Sequence, residues 1–355
     1  MPGDDGVPRP AGGRRRRRRR FAAFALALGV ACACLIGELG LRVLGVVAEP
    51  RRHFRPGILR ADPELGWALR PNYRGVRYEY AHQAATSTDS LGYRGPEWTA
   101  ARARAPLRVL CLGDSVTFGI GVADEETYPA QLESLLRGRG QAASVYDAGV
   151  PGYDTVQEAV VYQRLAARIH PQVVVLAWLP NDLAEPSQEL RKQVRFIDGH
   201  MIHDERKYRR WKRRVEHRGL YASALYRFFR VRSQNLIEAL RRREPPPRIE
   251  PKPLDYSLRP LEAIARRARE DGAHLVVVLV PTREQVAGRE PIAQHERMGA
   301  AARELGAEVV DLAAAWAGKP RAGRFLLRDR LHFTPSGCAE IAEAVARTAA
   351  LAPAR

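Results

Sequence analysis

The chain has 355 residues, of which 45% are hydrophobic, so it is long enough for one large or two ordinary globular domains. Its formal net charge of +18 would indicate a nucleic-acid-binding protein if the charge were spread over a folded domain. Seven arginines instead form one run, Arg14 to Arg20, in a terminal segment, and no nucleic-acid partner is expected.

The chain begins with a basic tail, residues 1–20, which precedes a predicted transmembrane anchor, residues 21–47. Phe21 to Gly37 carries no charge, and these seventeen residues form about 26 Å of helix. The hydrocarbon core of a bilayer is roughly 30 Å thick, so the apolar residues after Glu38 supply the remaining length.

The charges on either side of this segment predict its orientation. Glu38 and Arg42 are four residues apart and can pair on one helix face near the far membrane surface. The arginine run favours a cytoplasmic tail and an extracytoplasmic chain after about Val47. A signal peptide cleaved near residues 46–48 is the alternative, although the length of the apolar segment favours an anchor.

The four cysteines indicate neither a disulfide framework nor a metal site. Two lie in the anchor, Cys111 falls in a predicted strand and Cys338 in a predicted helix, where a small buried hydrophobic side chain is expected. No metal ion or organic cofactor is expected.

Residues 48–106 are rich in Pro, Arg and Tyr, and we predict a lead-in segment that packs on the domain starting at Leu107.

From Leu107 onward, short apolar runs alternate with longer amphipathic ones. The predicted strands are Leu107 to Leu112, Ala143 to Ala148, Val173 to Leu179, His274 to Val280 and Ala307 to Leu312. Helices are predicted between them and from about Pro335 to Ala350. This alternation predicts a five-stranded parallel sheet covered by helices on both faces, a three-layer α/β/α sandwich over residues 107–355.

The alternation is interrupted at residues 183–253, which are basic, contain many aromatic residues and end in EPPPRIEPKP. A connection this long predicts an inserted, mainly helical cap. Its arginines form either a solvated helix face or a surface for an anionic polymer or lipid.

Polar residues follow several predicted strands, at the sheet edge where ligands bind in α/β proteins. Ser115 follows the first strand in GDS, and is either a nucleophile or a helix-cap residue. Gly149 and Gly152 follow the second strand, in a turn where a backbone N–H could approach a substrate oxygen. Asn181 follows the third, where its amide can donate to an oxyanion or serve as an ordinary turn residue.

Asp329 and His332 follow the fifth strand, three residues apart. That spacing lets the carboxylate orient the imidazole while the other ring nitrogen accepts the serine proton. The remaining histidines have no such neighbourhood and are expected at the surface or in packing.

The combination of GDS, Gly152, Asn181 and Asp-x-x-His in this order resembles the SGNH, or GDSL-like, hydrolase superfamily over about Leu107 to Ala350. The resemblance implies a flavodoxin-like fold in which Ser115 is the nucleophile, His332 the base and Asp329 its orienting carboxylate. It further implies an oxyanion hole formed by the Ser115 and Gly152 N–H groups and the Asn181 side chain. Leu179 departs from the family pattern, which often has glycine two residues before this asparagine.

The lead-in is similar to that of membrane-anchored, extracytoplasmic SGNH proteins of bacteria, through the pattern at Glu38 to Gly45, LGW and SLGYRGPE. This implies a single-pass protein of the bacterial inner membrane with a periplasmic catalytic domain. The expected function is a serine esterase acting on acyl, chiefly O-acetyl, esters of envelope carbohydrate. The alternatives are an O-acyltransferase that modifies an envelope polysaccharide at the same site, and a non-catalytic envelope scaffold or polyanion-binding protein.

Overall fold

The computed structural model describes residues 12–44, 56–79, 82–183, 195–202, 204–216, 219–241, 252–319, 323–327 and 329–352. The chain divides into two compact units. The helical unit comprises Met1–Arg55 and Asp204–Arg248, and the sheet unit comprises Pro56–His203 and Ile249–Arg355. The predicted cleavage site at residues 46–48 and the proline-rich residues 245–251 lie outside the described residues.

The strands pair into one parallel sheet and three small antiparallel hairpins. In chain order they are β1 (Leu59–Asp62), β2 (Gly66–Leu69), β3 (Arg74–Glu79), β4 (His82–Ser87), β5 (Leu107–Leu112), β6 (Ala143–Asp147), β7 (Val173–Trp178), β8 (Arg195–Ile197), β9 (His200–Ile202), β10 (His274–Leu279) and β11 (Glu308–Asp311). The parallel sheet has the order β11-β10-β7-β5-β6, which confirms the predicted five-stranded sheet. All residues of β7 are buried, because helices cover the sheet on both faces.

The helices are α1 (Gly12–Val43), α2 (Ala100–Ala103), α3 (Ser115–Phe118), α4 (Tyr128–Gly138), α5 (Thr155–Ile169), α6 (Glu205–Glu216), α7 (Ala224–Arg241), α8 (Asp255–Glu270), α9 (Arg283–Val286), α10 (Ala293–Glu304), α11 (Leu312–Trp316) and α12 (Pro335–Val345). On one face of the sheet, α5, α8 and α10 bury an apolar cluster that includes Tyr162, Leu261 and Met298. On the other, α4 and α12 bury a second cluster that includes Leu132 and Ile341. These two cores make the sheet unit a three-layer sandwich.

The lead-in contributes two hairpins, β1–β2 and β3–β4, which the weak periodicity of its sequence did not predict. It is fastened to the start of α5 by hydrogen bonds from Trp67 Nε1 to Pro151 O at 3.0 Å and from Gln157 Nε2 to Leu65 O at 2.7 Å. Arg164 of α5 pairs with Asp62 at 3.0 Å. The lead-in therefore supports the loop after β6, which carries Gly152.

The helical unit is built around α1, which is long and apolar enough to cross a membrane and whose side chains from residue 16 to residue 36 are exposed. Within α1, Arg42 Nε donates to Glu38 Oε1 at 2.7 Å, as the four-residue spacing predicted. The start of α7 contacts this end of α1.

Candidate active site

Ser115 is the first residue of α3 and is held by a tight turn at the carboxyl end of β5. The N-cap of α3 is Asp114, whose carboxylate accepts the Val116 N–H at 2.8 Å. Two glycines allow the backbone to pack closely against this helix. A Cβ at Gly113, just before the helix, would lie 2.0 Å from Thr117 Oγ1, and a Cβ at Gly149, in the loop after β6, would lie 2.3 Å from Phe118 N. The Asp114 cap and the two glycines together fix the direction of the Ser115 side chain.

The other end of α3 is supported by Arg94, a buried lead-in residue. Its guanidinium donates to the carbonyls of Gly119 at 2.6 Å and Val122 at 2.7 Å, and pairs with Asp124 at 2.9 Å. It also lies over the Phe118 ring at 4.7 Å from the ring centroid. Arg94 had no role in the sequence-based prediction, although it stands in the LGYRGPE segment noted there.

Ser115, His332 and Asp329 are joined in one hydrogen-bonded chain. His332 Nε2 lies 2.9 Å from Ser115 Oγ, and His332 Nδ1 lies 2.8 Å from Asp329 Oδ2. Because an ionised carboxylate can only accept, Nδ1 carries the proton and the lone pair on Nε2 faces the serine hydroxyl. This is the tautomer in which the imidazole can act as a base toward Ser115.

Asp329 is ionised in spite of its burial. Burial by itself would raise its pKa, but hydrogen bonds from the His332 ring and from the His332 and Leu331 amides lower the pKa to about 2. The two amides lie 2.9 Å and 2.7 Å from Asp329 Oδ1. A carboxylate beside Nδ1 that is ionised at neutral pH favours the imidazolium that forms when His332 takes a proton.

The loop that carries Asp329 and His332 is fastened by Arg283, the first residue of α9. Its amide donates to Arg330 O at 2.8 Å, its Nε to Asp329 O at 2.8 Å and its Nη2 to Leu326 O at 2.7 Å. The sequence-based prediction did not include Arg283. The available signal was its position just after the fourth buried strand, at the same sheet edge as the other site residues.

Asn181 lies beside the serine turn, in the short 3₁₀ turn Pro180–Leu183 that follows β7. Its Nδ2 donates to Asp114 Oδ2 at 2.8 Å, and the same carboxylate oxygen lies 3.4 Å from Ser115 Oγ. One N–H of the Asn181 amide is thus used to orient it, and the second remains to donate to another acceptor.

The two glycines after β6 differ in the availability of their N–H groups. The Gly149 N–H is taken by Asp147 Oδ1 at 2.9 Å. Gly152 adopts φ 80° in the turn that follows, and its N–H has no acceptor among the described residues. The loop lies against the serine turn, because Val150 N donates to Gly113 O at 3.1 Å.

A group of buried carboxylates lies behind Asn181, and we call Asp114, Asp154, Glu158 and Asp182 the acid cluster. Asp182 accepts the Thr155 hydroxyl at 2.9 Å, whereas neither oxygen of Glu158 has a hydrogen-bond partner among the described residues. Burial raises the pKa of Glu158 and of Asp182 well above the ordinary range, and the neighbouring carboxylates raise both further. Burial also raises the pKa of Asp114, against the hydrogen bonds from Asn181 and Val116 that lower it.

Within the described part of the chain, the serine turn contributes neither to a metal site nor to the cavity that lies beside β6. Across the described residues, no group of three His, Cys, Asp or Glu side chains is placed to hold a metal ion. A cavity of about 560 Å³ lies beside β6, and its lining includes Arg94, Arg102, Glu133 and Asp147. Ser115, His332 and Asp329 are not part of this lining. The chemistry available at the serine turn is that of an oxygen nucleophile, a base and polarising N–H groups.

A family model described as the GDSL-like lipase/acylhydrolase family matches residues 111–339, which include Ser115, Asn181 and His332. No similar sequence is found among curated proteins.

Solved structures of similar fold share little sequence with this chain. The crystal structure of TesA is 16% identical with a TM-score of 0.43, over 67% of this chain and 95% of that one. A lipase/acylhydrolase from Enterococcus faecalis is 16% identical with a TM-score of 0.39, over 68% and 94%. A catalytic mutant of the acetylxylan esterase Axe2 from Geobacillus stearothermophilus is 16% identical with a TM-score of 0.43, over 68% and 94%.

Proposed function

Because the chain belongs to the GDSL-like lipase/acylhydrolase family, whose members hydrolyse ester bonds, we propose that it is a serine esterase with Ser115 as the nucleophile. The observation that carries this proposal is the hydrogen-bonded chain from Ser115 Oγ through His332 to Asp329. In this reaction His332 Nε2 takes the hydroxyl proton while Oγ forms a bond to the ester carbonyl carbon. As the bond between the carbonyl carbon and the alkoxide breaks, the imidazolium gives that proton to the alkoxide, so an alcohol leaves and the acyl group remains on Ser115 Oγ.

Water completes the cycle by the same steps in reverse. His332 removes a proton from water, the hydroxide attacks the acyl carbon, and the proton returns to Ser115 Oγ as the carboxylic acid is released. Asp329 stays ionised throughout, because its role is to stabilise the imidazolium.

The negative charge that develops on the carbonyl oxygen needs donors near Ser115. We assign the Ser115 N–H, the Gly152 N–H and the free N–H of Asn181 Nδ2 to this task. The Ser115 N–H begins a helix, so no carbonyl of that helix reaches it, and the Gly152 N–H has no acceptor among the described residues. Loss of one such donor typically costs about 3 to 4 kcal/mol of transition-state stabilisation.

For the substrate we propose O-acyl esters, chiefly O-acetyl esters, of envelope carbohydrate. Support comes from the apolar helix α1 and from the similarity of the lead-in to membrane-anchored bacterial relatives. On the same grounds we propose an inner-membrane protein with residues 1–20 in the cytoplasm and the sheet unit in the periplasm. An O-acyltransferase would use the same acyl-serine, with a sugar hydroxyl in place of water.

The test is hydrolysis of a short-chain aryl acetate by the detergent-solubilised full chain. Ser115→Ala should abolish turnover and labelling by a serine-directed phosphonate, whereas the exposed Ser134→Ala should leave both unchanged. Undiminished turnover in Ser115→Ala would refute the mechanism. Absence of both turnover and labelling in the unmutated chain would favour a scaffold or polyanion-binding protein.

A second measurement separates esterase from transferase. Acetate release and acetyl transfer to an added polysaccharide are followed in the same reaction. If acetylated glycan accumulates in place of free acetate, the acyl-serine serves a transferase.

A further inference from the structure

Glu38, near the end of the apolar helix α1, caps the amino terminus of α7, although the two are about 185 residues apart in the chain. Its carboxylate accepts the N–H of Ala224 at 2.9 Å, the N–H of Leu225 at 2.8 Å and the Ser223 hydroxyl at 2.8 Å. Amide groups in the first turn of a helix have no partner within the helix, so a carboxylate there is stabilising. Arg42 adds a bond from its Nη2 to Ala222 O at 2.8 Å.

The contact is confined to one end of α1. A Cβ at Gly37 would lie 3.3 Å from Leu225 Cδ1, so the two helices touch at this level. Side chains from residue 16 to residue 36 are all exposed, which leaves the apolar length of α1 free to face lipid. Phe21 to Gly37 spans about 26 Å, close to the roughly 30 Å of a hydrocarbon core. Glu38 and the start of α7 therefore stand at the level of the membrane surface when α1 spans the bilayer.

The surface of α7 and of the turn before it has the composition of an interfacial segment. Leu220 is 69% exposed and Phe229 is 63% exposed. Phe229 packs edge-on against Phe228, and Arg232 lies over the Phe228 ring at 4.2 Å from the centroid. Aromatic side chains concentrate at the headgroup level, and arginines there attract anionic lipids.

The charge of the surrounding segment points to the same partner. Residues 204–248 contain fifteen Arg and Lys against five Asp and Glu. Seven of the basic residues stand in the twelve-residue helix α6. A cationic segment joined to a membrane-spanning helix at the bilayer surface is complementary to anionic headgroups.

We propose that the segment from Leu220 to Ser233 lies along the membrane surface where α1 emerges. Leu220 and Phe229 enter the boundary between headgroups and acyl chains, and Arg230 and Arg232 of α7 pair with anionic phospholipids. The proposal requires that α1 is retained, because cleavage at residues 46–48 would remove the Glu38 cap. It depends on the proposed anchoring by α1 and not on the chemistry of Ser115.

The test uses the full chain in nanodiscs, with Cys32 and Cys34 replaced by alanine and a spin label at Ser233→Cys. Position 233 is four residues after Phe229, so the label reports on the same helix face without altering Phe229. Accessibility of the label to a water-soluble nickel complex is measured in discs of phosphatidylcholine and in discs that also contain phosphatidylglycerol. We expect the label to become several-fold less accessible in the anionic discs.

Two further variants, with one control, connect the loss of label accessibility to the proposed contacts. Glu38→Gln should restore accessibility in anionic discs, whereas Asp204→Asn, which changes the carboxylate that caps α6, should not. Arg230→Gln together with Arg232→Gln should lower the ratio of lipid-bound to free segment roughly tenfold or more, since each basic residue near an anionic surface contributes on the order of 1 kcal/mol.

Three results would overturn the proposal. They are equal accessibility in the two kinds of disc, protection by soluble polyphosphate on phosphatidylcholine discs without any response to phosphatidylglycerol, and a mature chain that begins after residue 48. Aryl acetate turnover in the same discs reports separately on Ser115, so failure of one proposal is distinguishable from failure of the other.

Discussion

The buried carboxylates on the two sides of Ser115 have pKa values that are shifted in opposite directions. On the His332 side, Asp329 receives hydrogen bonds from the imidazole and two amides, and its pKa is lowered to about 2. On the Asn181 side, Glu158 has no hydrogen-bond partner among the described residues, and burial raises its pKa well above the ordinary range. Burial alone therefore does not decide the pKa of a carboxyl group, because hydrogen-bond donors can lower the pKa and neighbouring carboxylates can raise it.

This difference suits the charges that form in the proposed mechanism of ester cleavage. In that mechanism a cation develops on His332, and the ionised Asp329 stabilises it. An anion develops on the substrate oxygen near Asn181, where ionised Glu158 and Asp182 would oppose it. The raised pKa favours the neutral form of these two carboxyl groups, which lowers the negative charge that the acid cluster places behind the oxyanion.

The largest expected effect on kcat comes from removing the charge of Asp329. Asp329→Asn should lower kcat about 10⁴-fold, because an asparagine can stabilise the wrong tautomer of His332 and cannot stabilise the imidazolium. The measurement is the steady-state rate with an aryl acetate, with Glu284→Gln, a half-buried carboxylate paired with Arg289, as the matched control. A loss of less than tenfold would show that Asp329 does not have this role.

The same variant gives a pH dependence of stability. Because the folded pKa of Asp329 lies below the unfolded value of about 3.9, its contribution is present above that pH and is lost as the pH falls toward 2. The difference in free energy of unfolding between the unmutated chain and Asp329→Asn should therefore shrink between about pH 4.5 and pH 2. Denaturant unfolding at several pH values measures it, and a constant difference would contradict the lowered pKa.

A smaller effect is expected from Arg283, which touches the backbone of the loop and none of the reacting groups. Arg283→Met removes two side-chain hydrogen bonds from the loop, and kcat should fall on the order of 10²-fold, since a displacement of about 1 Å in the base has that cost. KM should change little, and Arg283→Lys should recover part of the rate. Equal losses in kcat and in binding of a non-reactive substrate analogue would indicate a general structural defect instead.

The sequence was sufficient for the parts of the molecule that depend on local pattern. Continuous apolar runs placed the five parallel strands to within about two residues, because a strand buried on both faces must be apolar at every position. Ser115, Asn181 and His332 were predicted as site residues because GDS, Asn181 and Asp-x-x-His occur in this order after predicted strands, and the structure brings the three residues to one edge of the sheet.

The remaining features depend on contacts between distant segments, which no local pattern encodes. Glu158 looks like an ordinary acidic residue in the first turn of a helix, and only the folded structure buries it near Asp114 and Asp154, with no hydrogen-bond partner among the described residues. Arg94 and Arg283 were missed because their acceptors are backbone carbonyls more than twenty residues away. The contact of Glu38 with α7 has the same origin.

Substitutions in the acid cluster should have the smallest effect on activity, and their main effect should be on the free energy of unfolding. Glu158→Gln keeps the shape of the side chain and removes its ionisation. Because the folded pKa of Glu158 is raised, the folded chain binds more protons than the unfolded chain above about pH 4.5, so stability is lost as the pH rises. Glu158→Gln should therefore unfold at higher denaturant concentration than the unmutated chain at pH 8, with the advantage growing by up to about 1.4 kcal/mol per pH unit above pH 4.5.

Asp182→Asn should also increase stability at pH 8, and the two substitutions together should gain less than the sum of the single gains, because Glu158 contributes to the raised pKa of Asp182. Turnover at pH 7 should stay within a few-fold of the unmutated chain in Glu158→Gln, since the raised pKa of Glu158 favours its neutral form, which the amide mimics. A stability gain that is the same at pH 5 and pH 8 would show that Glu158 is not held protonated, and the contrast with Asp329 would then be one of hydrogen bonding alone.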